Sequence, residues 1–393
     1  MHGSPALDPN SGGTERYVHA LAEASRNPVF TRDRTTQSPL SCRTVSGYPL
    51  WTLGLPAAPS AVFEDTYNIR EVSSALSEVL VHEAAELVHF HHFAHLGFNA
   101  IEPVMEQGLP FVVTLHDYHL PCARGQLVDR NLKRCDGPSA SRCAPCLGEH
   151  LQATPRLSRI GRSLPGRTPA RLGRKLLSWL PNTEKQEHRV AHRIACARTV
   201  LEHANAVISP SQHLADRMLK LGWAKPSQTH VVDLPLVSPV EQAPPITDGP
   251  VRFLFVGSLI PTKGIEVLIE AFESLQEGSL TVYGPTPSYD GHPDFGQRIL
   301  SRIKNCQNAH YGGVFSDTSR NQIYADADVL VLPSTWEENS PLVAREAAAA
   351  GLRIVASSVG GIHEIAPEAR RVPPGDSNAL LNSLREEVRT GHG

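Results

Sequence analysis

The sequence predicts an α/β protein built from two doubly wound domains. Short apolar runs of strand length alternate with longer amphipathic stretches, the pattern of parallel strands joined by helices. That alternation runs on both sides of one Pro-rich, aperiodic stretch at 237–250, VSPVEQAPPITDGP. The chain has 393 residues, enough for two domains with a core in each. The expected domains are 1–240 and 241–393.

The elements follow in order. The opening, MHGSPALDPNSGGTERYVHALAEA, reads as a Gly-rich loop and a helix with no strand before them. A strand-loop-helix unit without its strand is incomplete, so a first strand is expected to be missing from this domain. AELVHFHH (85–92) and PFVVTLHD (110–117) read as buried strands of a parallel sheet. FNAIEPVMEQG between them reads as a helix closed by Gly108. NAVISPS (205–211) is a short strand, and HLADRMLKLG a helix stopped at Gly222. Beyond the Pro-rich stretch the rhythm restarts. VRFLFVG, SLTVYG, DVLVLPS and RIVASSVGG read as strands; IEVLIEAFESL, RNQIYADA and PLVAREAAAAG read as helices. The chain stops after ALLNSLREEVRTGHG, which predicts a short C-terminal end.

Hydrophobic residues make up 40% and charged residues 20%, ordinary for a soluble globular protein. A net charge of −3 argues against nucleic-acid binding by bulk electrostatics. The start has no basic n-region or apolar h-region, and no apolar run approaches about 18 residues. A cytoplasmic protein is expected. Residues 156–198 hold eleven Lys or Arg against two Glu, with RKLLSWL among them. They read either as a solvated insertion or as a segment for an anionic inner membrane face or a phosphorylated acceptor. Of seven cysteines, Cys122, Cys135, Cys143 and Cys146 crowd together, the last two as C-x2-C. In a chain without an export signal this suggests metal or free thiols rather than disulfides. Four thiolates can hold zinc tetrahedrally, so a structural zinc stands beside the free-thiol reading.

Four motifs carry chemistry. PSTWEENSPLVAREA (333–347) runs from a strand end through a polar loop into a helix, with Ser340 placed as N-cap and Pro341 at the first helical position. The amides of Leu342 and Val343 would be free to meet an anion or sugar hydroxyls. Glu338 lies in the loop and Glu346 inside the helix, at different depths of one site. In FVGSLIPTKGIEVLIEAF (255–272), Lys263 can meet a diphosphate as a point charge. In NSGGTE (10–15), Gly12 and Gly13 allow close backbone approach to a ligand. In TLHDYHLPC (114–122), His116 and Asp117 sit at a strand's carboxyl end, with His91 and His92 ending another strand. Each motif alone has a structural explanation: a solvated acidic loop, an exposed lysine, a common Gly-Gly turn, a core histidine.

Together they carry a resemblance. GGTE after an HG-x-P opening, LHD, VGSLIPTKG and PSTWEENSPLVAREAAAAG…VGGIHEI resemble the retaining nucleotide-sugar enzymes of glycosyltransferase family 4 (glycosyl transferases group 1), with the GT-B fold. That fold places two Rossmann-like domains about a central cleft. The resemblance spans Gly3 to about Asn378. It implies transfer of a hexose-type sugar from a nucleoside diphosphate sugar to a glycan, lipid-linked or small-molecule acceptor, with retention, in polysaccharide or glycolipid biosynthesis.

Its site residues would be these. Glu346 would bind the ribose. Glu338 with Asn339, Ser340, Pro341 and Leu342 would hold the donor sugar. Lys263 would neutralise the diphosphate, Gly12 and Gly13 would close over it, and His116 would reach the transferred sugar. No metal or other cofactor would be required, since lysine and a helix terminus stabilise the leaving group. Ser258 stands where relatives usually carry an arginine. Relatives also begin with a strand and end with a longer helix. The rivals are an epimerase or phosphorylase of the same fold, and a truncated, inactive homologue that binds nucleotide or a protein partner.

Overall fold

The computed structural model describes residues 12–56, 63–151, 183–234, 240–241, 249–315 and 319–391. The HG-x-P opening, most of the Pro-rich stretch and the basic segment as far as residue 182 lie outside the described residues. The chain divides into two compact units. Leu21–Gly125 and Cys135–Val207 fall in the first; Gln126–Arg134 and Ile208–Gly393 fall in the second, together with the start of helix α1 (Gly13–Ser25).

In the first unit, β1 (Val29–Asp33), β2 (Ser38–Val45) and β3 (Tyr48–Gly54) form a sheet of order β1-β3-β2. β2 and β3 pair antiparallel through a turn at Ser46 and Gly47, both at positive φ (45° and 84°). That turn shape matches the twist of a hairpin. β1 pairs parallel to β3, Val29 against Leu50. Helix α2 (Arg70–His82) buries Val72, Ala75, Leu76 and Val79, one stripe at helical spacing.

Strand β4 (Val88–Phe90), helix α3 (Glu102–Glu106) and strand β5 (Phe111–Thr114) follow. β4 and β5 pair parallel, Val88 against Phe111. Helices α4 (Ala140–Leu147) and α5 (Thr183–His203) pack on each other, and β6 (Ala206–Ser209) comes next. Helix α6 (Gln212–Lys220) and strand β7 (Thr229–Val231) complete a sheet of order β4-β5-β6-β7, and the division between units falls inside β6.

The rest of the second unit is a parallel six-stranded sheet. Its strands are β8 (Arg252–Val256), β9 (Ser279–Tyr283), β10 (Ala309–Gly313), β11 (Val329–Leu332), β12 (Arg353–Ser357) and β13 (Arg370–Val372), in the order β10-β9-β8-β11-β12-β13. Period-two alternation splits the central strands β8, β11 and β12 between two cores. Phe253 and Phe255 join the core that takes helices α7 (Ile265–Glu273) and α8 (Phe295–Asn305); Leu254 and Val256 join the other. That second core takes α9 (Arg320–Ala325), α10 (Leu342–Ala349) and α11 (Ile362–Ile365). Helix α12 (Ser377–Thr390) packs on the first core through Leu380, Leu381 and Leu384. Each buried Leu or Phe contributes about 1.5–3 kcal/mol. Strand order reverses between β8 and β11, and crevices for ligands form beyond the carboxyl ends of strands at such a point. Among the described residues, no helix is long and apolar enough to cross a membrane.

Candidate functional site

Two of the sequence motifs meet at that switch point. β8 ends at Val256, Ser258 lies in the following loop, and a short 3-10 turn, Pro261–Lys263, leads to Gly264. Gly264 has φ +69°, and a Cβ there would stand 1.8 Å from the Pro333 carbonyl oxygen. Only glycine lets this loop lie against the one that leaves β11. The Thr335 amide donates to the Thr262 carbonyl (2.9 Å), tying the two loops further.

Across this junction Lys263 Nζ reaches Glu338 Oε1 at 2.6 Å. The same oxygen accepts from Ser334 Oγ (2.7 Å) and Trp336 Nε1 (2.8 Å). Lys263 Nζ also lies 5.4 Å from the centre of the Trp336 ring. Glu338 is buried while the Lys263 side chain is 28% exposed, so the pair presents its cationic end to solvent. Gly360 and Gly361, which follow β12, pack on the backbone of 337–339, and the Gly361 amide donates to the Glu338 carbonyl (2.6 Å). Lys263, Ser334, Glu338, Pro341, Val343 and Ile362 line a small cavity at this junction.

Helix α10 starts one residue later than the spacing suggested. Its cap is Pro341, at φ −67° and ψ 114°, and Leu342 is the first helical residue. Ser340 does not cap it; its hydroxyl accepts from Arg345 Nη2 (3.2 Å). The amides of the first turn still point toward the loop, as at any helix start. Asn339 is buried beside them.

Glu346, one turn into α10, is 1% exposed and held inside the protein. Arg16 Nη2 stands 2.7 Å from Oε1, Arg320 Nε 3.5 Å from the same oxygen, and Tyr324 donates its hydroxyl to Oε2 (2.7 Å). Burial, then the Glu346 charge, pushes the Tyr324 phenol well above its usual range, so it stays a donor. Gly13, first residue of α1, lies so close to Leu342 that a Cβ would stand 3.0 Å from Cδ1. A Cβ on Gly12 would stand 2.8 Å from Glu15 Oε2. The sequence reading missed Arg16, Arg320 and Tyr324. The signal available was the four-residue spacing of Arg320 and Tyr324, which puts both on one face of α9.

His116 and Asp117 lie in the first unit, after β5, beside His91 and His92 after β4. His91 Nδ1 is 3.3 Å from His116 Nε2. The Ala94 amide donates to His92 Nδ1 (2.9 Å), which leaves the proton on Nε2 to bond Asp117 Oδ2 (3.0 Å). Burial pushes the His116 imidazolium down to about 3, aided by His92. His116 is therefore neutral at ordinary pH and can exchange hydrogen bonds but carries no charge. Burial would raise Asp117, but His92 and the His119 amide hold it at about 2.

Cys122, Cys135, Cys143 and Cys146 are half-buried thiols of the first unit. Cys143 and Cys146 lie one turn apart on α4. Among the described residues, no group of three or more His, Cys, Asp or Glu is placed to hold a metal ion.

Comparison with known proteins bears on both units. The glycosyl transferase 4-like domain family matches residues 12–235, and glycosyl transferases group 1 matches residues 250–388. An uncharacterised glycosyltransferase of Methanocaldococcus jannaschii is 38% identical over 123 residues, 30% of each chain. The lipopolysaccharide 1,2-N-acetylglucosaminetransferase of Salmonella typhimurium is 31% identical over 157 residues, 36% of this chain and 40% of that one. A D-inositol 3-phosphate glycosyltransferase of Mycolicibacterium gilvum is 29% identical over 194 residues, 47% and 42%. The chain thus spans between 30% and 42% of the length of these relatives.

Two solved structures share the fold along nearly the whole chain. Sucrose-phosphate synthase from Thermosynechococcus elongatus (19% identity, TM-score 0.63) is matched over 96% of this chain and 85% of that one. The Anabaena protein HepE in complex with UDP and glucose (16%, TM-score 0.60) is matched over 98% and 88%. The chain belongs to the glycosyl transferase 4-like family, carries a glycosyl transferases group 1 domain after it, and has the GT-B fold.

Proposed function

We propose that the protein transfers a hexose-type sugar from a nucleoside diphosphate sugar to a glycan, lipid-linked or small-molecule acceptor, with retention of configuration. The observation that carries the reading is the 2.6 Å pair of Lys263 and Glu338 beside the start of α10. As the glycosidic bond breaks, negative charge grows on the departing diphosphate. A lysine and the free amides of a helix start, fixed before the reaction, stabilise that charge without reorganising. Glu338 and Asn339, with the amides that follow, take the sugar hydroxyls, and Glu346 takes the ribose. His116, being neutral, serves as a hydrogen-bond partner for a sugar hydroxyl. HepE, solved with UDP and glucose, supports a nucleotide-sugar donor. Among the relatives above, the lipopolysaccharide 1,2-N-acetylglucosaminetransferase supports a role in polysaccharide or glycolipid synthesis.

The test is binding of UDP, ADP and GDP to the full chain, followed by turnover of the matching sugar nucleotide. One diphosphate should bind. Lys263→Ala should weaken it about 10- to 150-fold, the worth of a charged hydrogen bond of about 1.5–3 kcal/mol, and leave the bare nucleoside unaffected. No binding by any of the three overturns the reading.

A structural zinc on Cys122, Cys135, Cys143 and Cys146 is a separate proposal. It is supported by the crowding of the four cysteines in the sequence and by Cys143 and Cys146, a C-x2-C pair one turn apart on α4. Purified protein should hold about one zinc per chain, lost in Cys143→Ser; zinc-free protein from supplemented medium ends the idea.

A further inference from the structure

The carboxylate that the donor reading assigns to the ribose is already engaged. A carboxylate offers about four acceptor positions. Arg16 and Arg320 meet at Glu346 Oε1, and Tyr324 holds Oε2. Glu346 is 1% exposed, so a ribose diol reaches this carboxylate only if one of the three groups covering it moves. Arg320 and Tyr324 are poor candidates. Both come from α9, one turn apart, and their residues are 2% and 0% exposed. Arg16 reaches Glu346 from a different helix, and its side chain is 11% exposed against 3% for Arg320. It is the outermost of the three. It also shares an oxygen with a like charge: Arg320 is held below the usual arginine range by burial and then by Arg16.

The place to which Arg16 would move is fixed by the same helix. Gly13 sits against Leu342, the first residue of α10. Arg16, three residues on, lies on the same side of α1 and so beside the first turn of α10. The diphosphate of the donor reading would lie at that turn, on the free amides. A guanidinium released from Glu346 needs only to swing along α10 toward its start, and it can grip two phosphate oxygens at once.

We propose that Arg16 exchanges partners when nucleotide binds: it holds Glu346 in the empty site and grips the diphosphate once the ribose has taken Glu346. This rests on the donor reading above. It makes Arg16 a donor-binding residue and makes the diphosphate, not the nucleoside, the part of the ligand that opens Glu346. A nucleoside must break the Arg16–Glu346 pair with no anion to offer Arg16 in return.

The experiment compares the best binder among UDP, ADP and GDP with its own nucleoside, on wild type, Arg16→Ala and Arg16→Lys. Calorimetry suits the diphosphate, and ligand-observed NMR suits the weaker nucleoside. For Arg16→Ala the two affinities should move in opposite directions: the diphosphate weaker by about tenfold or more, the nucleoside unchanged or tighter. Arg16→Lys keeps the charge and should stay closer to wild type for the diphosphate. It also serves as the test if the alanine variant fails to fold, through a diphosphate loss larger than its nucleoside loss. Equal weakening of both ligands, or no change in either, overturns the exchange. Tighter diphosphate binding in Arg16→Ala also overturns it, since Arg16 would then only compete. If wild type binds none of the three diphosphates, the donor reading itself has failed, and the exchange fails with it.

Discussion

Removing the Glu338 carboxylate should separate what holds the site together from what the site does. Three donors converge on its Oε1: Lys263, Ser334 and Trp336, at 2.6, 2.7 and 2.8 Å. Ser334 and Trp336 are 2% and 7% exposed, so water cannot easily replace the lost acceptor. Each buried donor left unsatisfied costs about 1–3 kcal/mol. The Lys263 ammonium loses its ion pair too, but its side chain is 28% exposed, so solvent offsets most of that loss. Glu338→Ala should therefore destabilise the second unit by roughly 2–5 kcal/mol. Glu338→Gln keeps an acceptor oxygen in the same place and should cost about 1–2 kcal/mol. Denaturant unfolding of the full chain measures both, with Trp336 as a local fluorescent reporter. Bare diphosphate affinity should not fall in either variant, because Lys263 is freed from its carboxylate. Sugar transfer should fall in both. Refutation is simple to state: an alanine variant within about 0.5 kcal/mol of wild type would mean that the three contacts do not form in solution. Glutamine and alanine variants of equal stability would mean that charge, not acceptor geometry, holds the loop.

Other consequences follow from particular residues. Burial holds His116 and His95 at about 3 and His89 at about 4. The unfolded chain takes these protons below about 6.5, while the folded one refuses them until about 4 or 3. Stability should thus be full above pH 6.5 and fall as pH drops toward 4, by up to about 1.4 kcal/mol per pH unit for each histidine; denaturation midpoints at pH 7, 6 and 5 that do not move would contradict this. Gly264→Ala forces a Cβ to 1.8 Å from a backbone oxygen at φ +69° and should cost more than about 3 kcal/mol. Gly222→Ala, at φ +67° with open space around it, should cost only about 1–2 kcal/mol, and similar melting temperatures for the two would show that the Pro333 contact is not tight. Tyr324→Phe leaves Glu346 Oε2 without its buried donor and should cost about 1–3 kcal/mol in unfolding free energy; an unchanged value would show that another donor fills in.

The centre of the second unit's sheet was legible because β8, β11 and β12 are buried on both faces. RFLFV, VLVL and RIVAS are apolar runs of strand length, each beyond a helix or a turn. The first unit was less so. β2, SPLSCRTV, exposes most of its side chains, so its run is too polar to stand out. β3 carries its buried Tyr48 and Leu50 on alternate positions, visible only once its pairing with β1 and β2 is known. Helix α8 was also passed over. FGQRILSRIKN buries Phe295, Ile299 and Ile303 at four-residue spacing, but charged residues between them dilute the signal. The cap of α10 was misplaced by one residue because Ser-Pro fits a cap and first turn by propensity, while here the loop's backbone direction is set by contacts further away.

Those contacts explain why the site's parts could be named from sequence while their assembly could not. Lys263 and Glu338 stood out as charged residues beyond strand ends, yet nothing local says that residues 75 apart will touch. What joins them is the strand order β8-β11-β12, which sets three strand ends side by side. The loops leaving those ends then interlock by backbone. Gly264 after β8 presses on Pro333 after β11, and Gly360 and Gly361 after β12 press on Glu338 and Asn339. A side chain at any of the three would push the loops apart. These glycines therefore act as contact surfaces as much as turns. They hold the 333–339 loop from both sides, so that Glu338 faces Lys263 before any ligand arrives. A charged group fixed in advance stabilises developing charge without the cost of reorganising. The Gly-Gly of VGGIHEI thus belongs to the same device as Glu338 and Lys263, although none of its atoms need touch a substrate.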